Sequence, residues 1–458
     1  MRIILYGSCC DVLAKEIMMS SFSFELIPPQ SQVCPSNPSQ DIRNPSQDYD
    51  RELQDSCHKS QAVSHSPCPS SNAARLGRLS TPHGAILTPA FVFCATKGAI
   101  KGATMEDVCL EQTQVILANT YHLMPSAAIV RKLGGLAKMS GWNGPTLTDS
   151  GGYQVFSMGH GSVAEEIKGN RRFPQAKSMV RISEDGATFK SCINGDTLFL
   201  SPEVSVEIQE QIGADLIFAF DECTPYHVSR EYTDAAMRRS HRWEKRSLEH
   251  FAMREAQKQG DALPQAMYGI VQGGVYEDLR RESCAFVNGE PFFGQAIGGS
   301  LGASKAQMQD VISLSMQHLR KDRPVHLLGI GHVADIFDGV MLGIDTFDCV
   351  HPTRIARHGG ALVKGGGRGN SEHINLRNSA YVGDASPIDP HCPCQTCRMY
   401  SRGYLNHLLR IQEMAALILI SRHNIRFMND LMAAIREGIA SGTLAQVRRE
   451  WLGAGAGG

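Results

Sequence analysis

Short apolar runs recur along the chain from Ala74 onward, and segments with helical spacing of their apolar residues separate most of them. Uninterrupted apolar runs of this length are typical of strands that are buried on both faces of a parallel sheet. The eight runs cover residues 90–94, 115–118, 146–148, 216–220, 267–271, 293–297, 325–330 and 346–350. Eight strands that alternate with helices predict an α/β fold of the (β/α)8 TIM barrel type. A doubly wound open sheet is the alternative, and the lack of a Gly-x-Gly-x-x-Gly motif after the first strand disfavours it.

Polar residues stand at or just past the carboxyl ends of five of these runs. They are Asp149, Asp221, Gln272, the pair Gly298-Gly299, and Asp348. In a TIM barrel the active site is built at that end of the strands, so we expect these residues to share one site. We take Asp348 as the candidate reacting group, because it ends an apolar run and is followed by Pro352-Thr353-Arg354, which we predict to be a turn.

Other segments divide the chain into regions. The long gap between the third and fourth runs contains alternating patches at 179–182 and 187–190, which predict a small β-element inserted into the barrel. Residues 1–73 are rich in Ser, Pro, Asn, Gln and Asp and predict a disordered N-terminal extension, either a dispensable tail or an organelle-targeting segment. We assign residues 74–385 to the barrel and 386–458 to a zinc-binding subdomain with closing C-terminal helices.

Charge, the lengths of the apolar runs and the cysteine count indicate the compartment and the kinds of partner to expect. The 45 basic and 46 acidic residues leave a net charge of −1, so any nucleic-acid surface must be a local patch. No apolar run is long enough to cross a bilayer, and the N-terminus is a poor secretory signal. Fourteen cysteines in such a chain predict reduced thiols and a metal site. We therefore expect a cytoplasmic protein without a membrane span, with organelle association through the extension left open.

The cysteines are concentrated at one place, where Cys392, Cys394 and Cys397 supply three thiolates within one short loop. Structural zinc is tetrahedral and closed, so a fourth ligand must come from elsewhere. His391, His407 and His423 are the candidates, and we choose His423 because it lies beyond an intervening helical stretch. This set predicts one structural Zn²⁺ site that joins a helical hairpin to the barrel.

Several carboxylates at one barrel mouth admit three interpretations. They could bind a metal, although no histidine accompanies them; they could act as acid and nucleophile on an anomeric carbon; or one could recognise the edge of a base. Structural capping of strand ends is the better interpretation for Glu222 and Asp345. Tyr153, beside Asp149, could stack on a flat ring or simply pack.

Several long stretches together resemble the tRNA-guanine transglycosylases. They are Thr148-Asp149-Ser150-Gly151-Gly152-Tyr153-Gln154-Val155-Phe156-Ser157, Phe220-Asp221-Glu222-Cys223-Thr224-Pro225-Tyr226, Gly269-Ile270-Val271-Gln272-Gly273-Gly274, Ala296-Ile297-Gly298-Gly299, and Phe347-Asp348-Cys349-Val350 with Pro352-Thr353-Arg354. The three cysteines and His423 also match the zinc site of the family in type and spacing. The resemblance extends from about residue 74 to the C-terminal helices.

The resemblance implies exchange of guanine for queuine, or for its precursor preQ1, at the wobble position of tRNAs with GUN anticodons. Asp348 would be the nucleophile that holds the tRNA ribose covalently, and Asp149 the general acid and base. The implied base-binding residues are Ser150, Tyr153, Asp221, Gln272, Gly298, Gly299 and Leu328. Arg354 and Arg357 would bind the anticodon loop of the tRNA.

The chain departs from the family pattern in two places. Residues 300–304 are one residue shorter than usual and lack a glutamate, which favours queuine over preQ1 as the incoming base. His351 stands where an apolar residue is usual.

The family also presents a second possibility, because eukaryotic members pair with a related, non-catalytic tRNA-binding subunit. Retention of both acids and of all four zinc ligands favours the catalytic role. A pure RNA-binding module is a weaker alternative, because it would not need the paired acids. A homodimer and a heterodimer with a related non-catalytic subunit both remain open.

Overall fold

The computed structural model describes residues 21–28, 73–160, 180–191, 195–259, 263–367 and 371–453. The strands are β1 (Ser23–Ile27), β2 (Leu76–Thr81), β3 (Gly84–Thr88), β4 (Ala90–Cys94), β5 (Ile116–Ala118), β6 (Thr146–Thr148), β7 (Val180–Ile182), β8 (Ala187–Lys190), β9 (Thr197–Leu200), β10 (Leu216–Phe218), β11 (Ala266–Val271), β12 (Gly294–Ile297), β13 (Val325–Leu327), β14 (Thr346–Cys349), β15 (Gly360–Leu362) and β16 (His373–Asn375).

The helices begin with α1 (Met105–Leu110), α2 (Thr120–Leu123), α3 (Ala127–Lys132), α4 (Gly135–Ser140), α5 (Gly152–His160), α6 (Pro202–Ile212), α7 (Arg230–Gln257) and α8 (Glu277–Gly289). They continue with α9 (Lys305–His318), α10 (Val333–Met341), α11 (His351–Arg357), α12 (Gln395–Met399), α13 (Arg402–Arg410), α14 (Met414–Ala440) and α15 (Leu444–Leu452). Short 3-10 turns cover Met124–Ser126 and Ser379–Tyr381.

Eight parallel strands close into a barrel in the order β10-β11-β12-β13-β14-β4-β5-β6. Each of the eight apolar runs contains or overlaps one of these strands, so the prediction of a (β/α)8 barrel is confirmed. The last strand pairs with the first, with Thr346 opposite Ala90 and Asp348 opposite Val92. The predicted β-insertion is also present as a separate antiparallel sheet of β7, β8 and β9.

An antiparallel sheet of β1, β2 and β3 closes the amino end of the barrel. Leu79 and Ile86 project from this sheet into the apolar cluster that fills the barrel, where they meet strand-starting residues such as Leu216. Phe22, immediately before β1, is buried in the same cluster and contacts Phe293 edge to face at 5.7 Å. The barrel interior is therefore a packed core at this end.

The prediction of a disordered extension over residues 1–73 is wrong for β1. This strand pairs with β2 from Ser23 opposite Ser80 to Ile27 opposite Leu76. The apolar side chains of Phe22 and Phe24 join the barrel core, and burial of that surface offsets the entropy of ordering the segment. Apart from residues 21–28 and Ala73, the predicted extension lies outside the described residues.

The C-terminal region docks on the barrel mainly through the long helix α14. Arg422 on this helix bonds Glu111 at 2.6 Å and Asp107 at 3.0 Å, both on or next to α1. Asn424 donates to the backbone oxygens of Pro352 and Gly360 at 2.9 and 3.0 Å, which ties α14 to the segment just after β14. None of the helices in the described part of the chain combines the length and apolar character that crossing a bilayer requires.

We predict that Phe22→Ala lowers the free energy of unfolding by about 3–5 kcal/mol, the usual cost of truncating a buried phenylalanine. Urea unfolding followed by circular dichroism measures the change. Leu26→Ala in the adjoining strand β1 is the matched control, because Leu26 is 49% exposed and its loss should shift the value by no more than about 0.5 kcal/mol. Equal effects of the two substitutions would show that β1 does not contribute to the core.

Candidate active site and metal centre

Asp348 is the third residue of β14, near the carboxyl end of the barrel. Its Oδ1 atom accepts hydrogen bonds from the backbone N–H of Gly329 at 3.0 Å and from Nε2 of His326 at 3.1 Å. His326 is buried, and its Nδ1 lies 2.9 Å from the hydroxyl of Thr346. Oδ2 receives a weaker contact, from the thiol of Cys94 at 3.6 Å. Strong donors thus hold one oxygen of the carboxylate, while the other faces a thiol.

Asp149 follows β6 directly and accepts several hydrogen bonds. Backbone N–H groups of Thr120 and Gly151 donate to Oδ1 at 2.9 and 3.2 Å. Side-chain amides of Gln154, at 3.1 Å, and of Asn119 donate to Oδ2. Burial favours the neutral acid more than these donors favour the carboxylate, and it raises the pKa of Asp149 to about 7.

The carboxylates of Asp149 and Asp348 lie within electrostatic range of each other. The charge of Asp348 contributes to the raised pKa of Asp149. Burial raises the pKa of the Cys94 thiol well above its usual value, and the charges of both aspartates raise it further. Cys94 is therefore a neutral thiol beside two acids. Asp149, with a pKa of about 7, can hold or release a proton near neutral pH beside Asp348.

Asp221, three residues beyond β10, forms a second polar cluster with residues from neighbouring strand ends. The hydroxyl of Ser150 donates to its Oδ1 at 3.1 Å, and Nε2 of Gln272 donates to its Oδ2 at 2.5 Å. Burial raises the pKa of Asp221 to about 6, which leaves it mainly ionised at neutral pH. Oε1 of Gln272 is buried without a hydrogen-bond partner among the described residues, so it can accept a bond from a ligand.

The glycines after β12 let the backbone approach this cluster. Gly299 has a φ of +73°, and a Cβ there would lie 2.4 Å from Oε1 of Gln272. A Cβ on Gly298 would lie 2.6 Å from Ile270 and 3.4 Å from the half-buried Leu328. Neither position accepts a side chain without displacing its neighbours, so the backbone itself lines the site here.

Arg280 on α8 holds the loops that carry these residues. Its guanidinium is fully buried and donates to backbone oxygens of Gly274 at 2.7 Å, Val271 at 3.0 Å, Gly298 at 2.9 Å and Ser300 at 3.2 Å. Burial lowers its pKa to about 10. Arg280 was not among the residues predicted from the sequence, although it lies among Leu279, Ser283, Cys284 and Val287 on a face of α8 that carries no other charge.

The basic residues after β14 lie on a helix. Pro352-Thr353-Arg354, predicted as a turn, belongs to the first turns of α11, where proline is well tolerated because that N–H has no helical partner. Arg354 is exposed, and Arg357 is half-buried with its Nη1 bonded to the Thr353 oxygen at 2.9 Å. Tyr153, in the first turn of α5, is 44% exposed.

Glu222 and Asp345, interpreted from the sequence as capping strand ends, are each bound by neighbouring side chains. Glu222 is buried and accepts hydrogen bonds from the hydroxyl of Tyr232 at 2.7 Å and from Arg239. Asp345 precedes β14 at the opposite end of the barrel and accepts from Arg75 Nε at 2.9 Å. Both carboxylates are saturated by neighbouring donors, in keeping with a role in the fold.

Cys392, Cys394, Cys397 and His423 converge at the start of α12 and the middle of α14. Their ligand atoms all lie within 4.8 Å of one another. Nδ1 of His423 is 3.2 Å from the sulfur of Cys397 and 3.8 Å from that of Cys394. This arrangement of three thiols and one imidazole, mostly buried, can hold a metal ion with four protein ligands.

The chemistry of this donor set fits a structural metal. Nε2 of His423 lies 2.8 Å from the backbone oxygen of Leu362, so it donates its proton there and leaves Nδ1 with a free lone pair toward the sulfurs. Cys394 caps α12 by accepting from the N–H of Cys397 at 3.4 Å, which also favours the thiolate. A site with four protein ligands leaves no open position for a substrate.

Comparisons with known proteins point to one family. The family model described as "Queuine tRNA-ribosyltransferase" matches residues 68–455. A protein of that name from Roseiflexus sp. is 46% identical over 390 residues, which is 83% of this chain and 96% of the relative. One from Chlamydia abortus is 44% identical over 369 residues, 80% of this chain and 95% of the relative. One from Thermus thermophilus is 43% identical over 381 residues, 82% of this chain and 90% of the relative.

The matched region includes the whole barrel, the strand-end acids and the three cysteines that, with His423, could hold a metal ion. Because the family model covers most of the chain and the relatives are similar over most of their own length, the chain belongs to the queuine tRNA-ribosyltransferase family.

Proposed function

We propose that this chain exchanges guanine for queuine at the wobble position of tRNAs with GUN anticodons, through a covalent intermediate on Asp348. Family membership places it among the pentosyltransferases that modify tRNA with queuine. The observation that carries the finer proposal is the unequal pair of acids at the barrel mouth. Donors hold Asp348 in place for attack, and Asp149 has a pKa near 7 that suits proton transfer in both directions.

In the first half-reaction, Oδ2 of Asp348 forms a bond to the ribose C1′ while the bond from C1′ to N9 of guanine breaks. The electron pair of that bond leaves with guanine, which receives a proton from the carboxylic acid of Asp149. Oδ1 stays bound to Gly329 and His326, which keeps the attacking oxygen in a single orientation. The tRNA chain itself is never cut.

In the second half-reaction, the carboxylate of Asp149 takes a proton from the incoming base. The base nitrogen then forms a bond to C1′ as the bond between C1′ and Asp348 breaks. Two displacements at one carbon retain its configuration, as in retaining glycosidases. Both acids return to their starting protonation states, so the cycle balances.

The cluster around Asp221 is suited to recognise the base. An ionised Asp221 accepts hydrogen bonds from ring and exocyclic N–H groups, and Oε1 of Gln272 is a further acceptor. Ser150 and the backbone of Gly298 and Gly299 complete the edge that faces the base. Tyr153 stacks on one face of the ring and Leu328 covers the other. These are the residues that the family resemblance implied.

The segment after Gly299 favours queuine over preQ1. It has no acidic side chain between Ser300 and Ser304, so it offers no carboxylate to an aminomethyl group. The oxygen of Ser300 is bound by Arg280, and the hydroxyl of Ser300 accepts from the N–H of Gly302 at 3.3 Å. The side group of the incoming base thus meets small residues.

Because the chain has almost no net charge, the tRNA must be bound by a local group of basic residues near the carboxyl end of the barrel. We assign Arg354 and Arg357 on α11 to the anticodon loop, with the wobble nucleotide turned out of its stack to reach Asp348. The helix begins two residues beyond β14, so these cations lie close to the nucleophile along the chain.

We assign Zn²⁺ to Cys392, Cys394, Cys397 and His423, where it would act as a structural cross-link between α12 and α14. The metal takes no part in the exchange. Its cluster contacts Leu362 in β15, which follows α11, so loss of the metal would loosen the support of the tRNA-binding helix.

Assembly with a second subunit is part of the proposal, as a homodimer or as a heterodimer with a related non-catalytic chain. The C-terminal region exposes large apolar side chains that a partner could cover. They are Val382, Met399, Tyr404, Ile411 and Met414. The cytoplasm stays the predicted compartment. Retention of both acids continues to favour the catalytic role for this chain over the tRNA-binding partner role.

Asp348→Asn should abolish both guanine exchange and the covalent adduct, because the amide is a poor nucleophile, while tRNA binding changes little. The assay follows labelled guanine out of a GUN-anticodon tRNA with queuine and preQ1 offered separately, and detects the adduct on denaturing gels. Asp322→Asn is the matched control, because that carboxylate is exposed and pairs with Arg320. An adduct that persists in Asp348→Asn would refute the assignment.

The pKa of Asp149 predicts opposite pH dependences for the two half-reactions. Guanine release needs the acid form, so adduct formation should slow as pH rises above about 7. Base attachment needs the carboxylate, so release from the adduct should slow as pH falls, with a midpoint below that of adduct formation because the esterified Asp348 no longer carries the charge that raises the pKa of Asp149. Asp149→Asn should lower both rates by roughly 10²–10⁴-fold and flatten both profiles. Single-turnover kinetics in each direction measures this, and unchanged profiles in the variant would exclude Asp149.

Cys394→Ser should remove the metal from the four-ligand site and lower the unfolding temperature of the C-terminal region. Substitution with Co²⁺ gives the readout, because thiolate ligands produce a charge-transfer absorption that the variant should lose. Cys109→Ser, at an exposed cysteine on α1, is the control and should keep the band. A full charge-transfer band in Cys394→Ser would contradict the ligand assignment.

A further inference from the structure

A second group of metal-binding side chains lies beside the nucleophile, separate from the cysteine site. His332, His351 and Glu372 place one ligand atom each within 4.8 Å of one another. Nδ1 of His332 is 2.7 Å from Oε1 of Glu372, and Nε2 of His351 contacts the same oxygen. The two imidazole rings lie with centroids 4.2 Å apart. Two ring nitrogens and one carboxylate oxygen thus meet at one point.

The backbone brings these three residues together from distant parts of the chain. His332 immediately precedes α10, His351 begins α11, and Glu372 immediately precedes β16. The loop before α10 lies tightly against the end of β14, because a Cβ on Gly331 would be 2.5 Å from Cβ of Cys349. Only glycine allows this approach, and it delivers His332 to His351.

The carboxylate of Glu372 is fixed before any ligand arrives. Its Oε2 accepts from the N–H of Val333, the first residue of α10, at 3.0 Å, which leaves Oε1 directed at the two histidines. The side chains of Glu372 and His351 are only 19% and 16% exposed, while that of His332 is 60% exposed. The group is therefore held on its protein side and open to solvent on the other.

We propose that His332, His351 and Glu372 form a site for a divalent transition metal ion on the rim of the active site. Two imidazoles and one carboxylate are the ligand set that zinc and iron accept when a further position stays open to water. Ligands at about 2.0–2.1 Å from a tetrahedral ion lie about 3.3 Å apart, so Nδ1 of His332 and Oε1 of Glu372, now 2.7 Å apart, need to separate by about half an ångström or slightly more, and His351 by more than that.

The bound ion would link the two segments that hold the nucleophile. His351 follows Asp348 by three residues, and His332 follows Gly329, whose N–H binds Oδ1 of Asp348, by three residues. A metal bridge between the two histidines therefore fixes the distance between the carboxylate and its backbone donor. The role is one of positioning. The site stands apart from the proposed exchange reaction, and its test requires no activity.

The alternative is a hydrogen-bonded cluster that takes no metal, with both histidines donating to Glu372. The number of Zn²⁺ ions that the chain binds distinguishes a metal site from a hydrogen-bonded cluster. The full chain, already holding one metal ion at the cysteine site, is titrated with Zn²⁺ alone and the bound ion is counted by equilibrium dialysis. Co²⁺ in a parallel titration reports the ligand type, because a site without thiolates adds d–d absorption and no charge-transfer band.

We expect wild-type chain to bind a second equivalent of Zn²⁺ and to gain thermal stability on binding it. His332→Ala and Glu372→Gln should each weaken binding of the second Zn²⁺ by at least roughly tenfold. Loss of a residue that only hydrogen-bonds a metal ligand already lowers affinity by about that factor, and loss of a ligand itself should lower it more. His332 is exposed, so its substitution leaves the fold intact, and Glu372→Gln keeps an acceptor for Val333.

His358→Ala is the matched control, because this exposed histidine follows α11 directly but lies outside the group. It should bind the second ion as wild type does. Two results would overturn the proposal. One is a wild-type chain that binds a single ion at the cysteine site. The other is a second ion whose affinity is the same in wild type, His332→Ala and Glu372→Gln.

Discussion

Closure of the parallel barrel between β14 and β4 is the constraint on which the rest of this structure depends. Pairing of Thr346 with Ala90 and of Asp348 with Val92 brings the last strand back to the first. Because all eight strands are parallel, every strand delivers its final residues to the same end. The closure also places Cys94, the last residue of β4, against Asp348. An open sheet would leave these two strands at opposite edges.

At the carboxyl end of the barrel, the pKa values of the aspartates differ because each has different hydrogen-bond donors. Asp221 is buried and Asp149 is half-buried, and their pKa values rise to about 6 and about 7, because different donors offset the loss of solvation. A raised pKa means that folding favours the protonated acid. These groups therefore contribute stability at low pH that is lost as pH rises from about 4 through those values. Ionisation of these two acids costs free energy in the folded state, and acids with such raised pKa values are common at functional sites.

Structures outside the barrel support the site from two sides. At the amino end, β1, β2 and β3 fill the interior with apolar side chains, so the strands are held where no chemistry occurs. At the carboxyl end, α14 carries both His423 of the cysteine group and Asn424, which binds the backbone of Pro352. The cysteine group and the start of α11 are thus connected through one helix. The His332, His351 and Glu372 group adds a further connection, close to Asp348.

The sequence by itself determined the eight barrel strands, the inserted sheet and the convergence of the three cysteines with His423. Periodicity and motif spacing are local signals, and a closed barrel follows once eight buried strands alternate with helices. Tertiary structure alone decided the partners: the bonds of His326 to Asp348, the four carbonyl contacts of Arg280, and the place of β1 in a sheet. These depend on packing between residues far apart in the chain, and the identity of a distant hydrogen-bond partner has no signature in the neighbouring sequence.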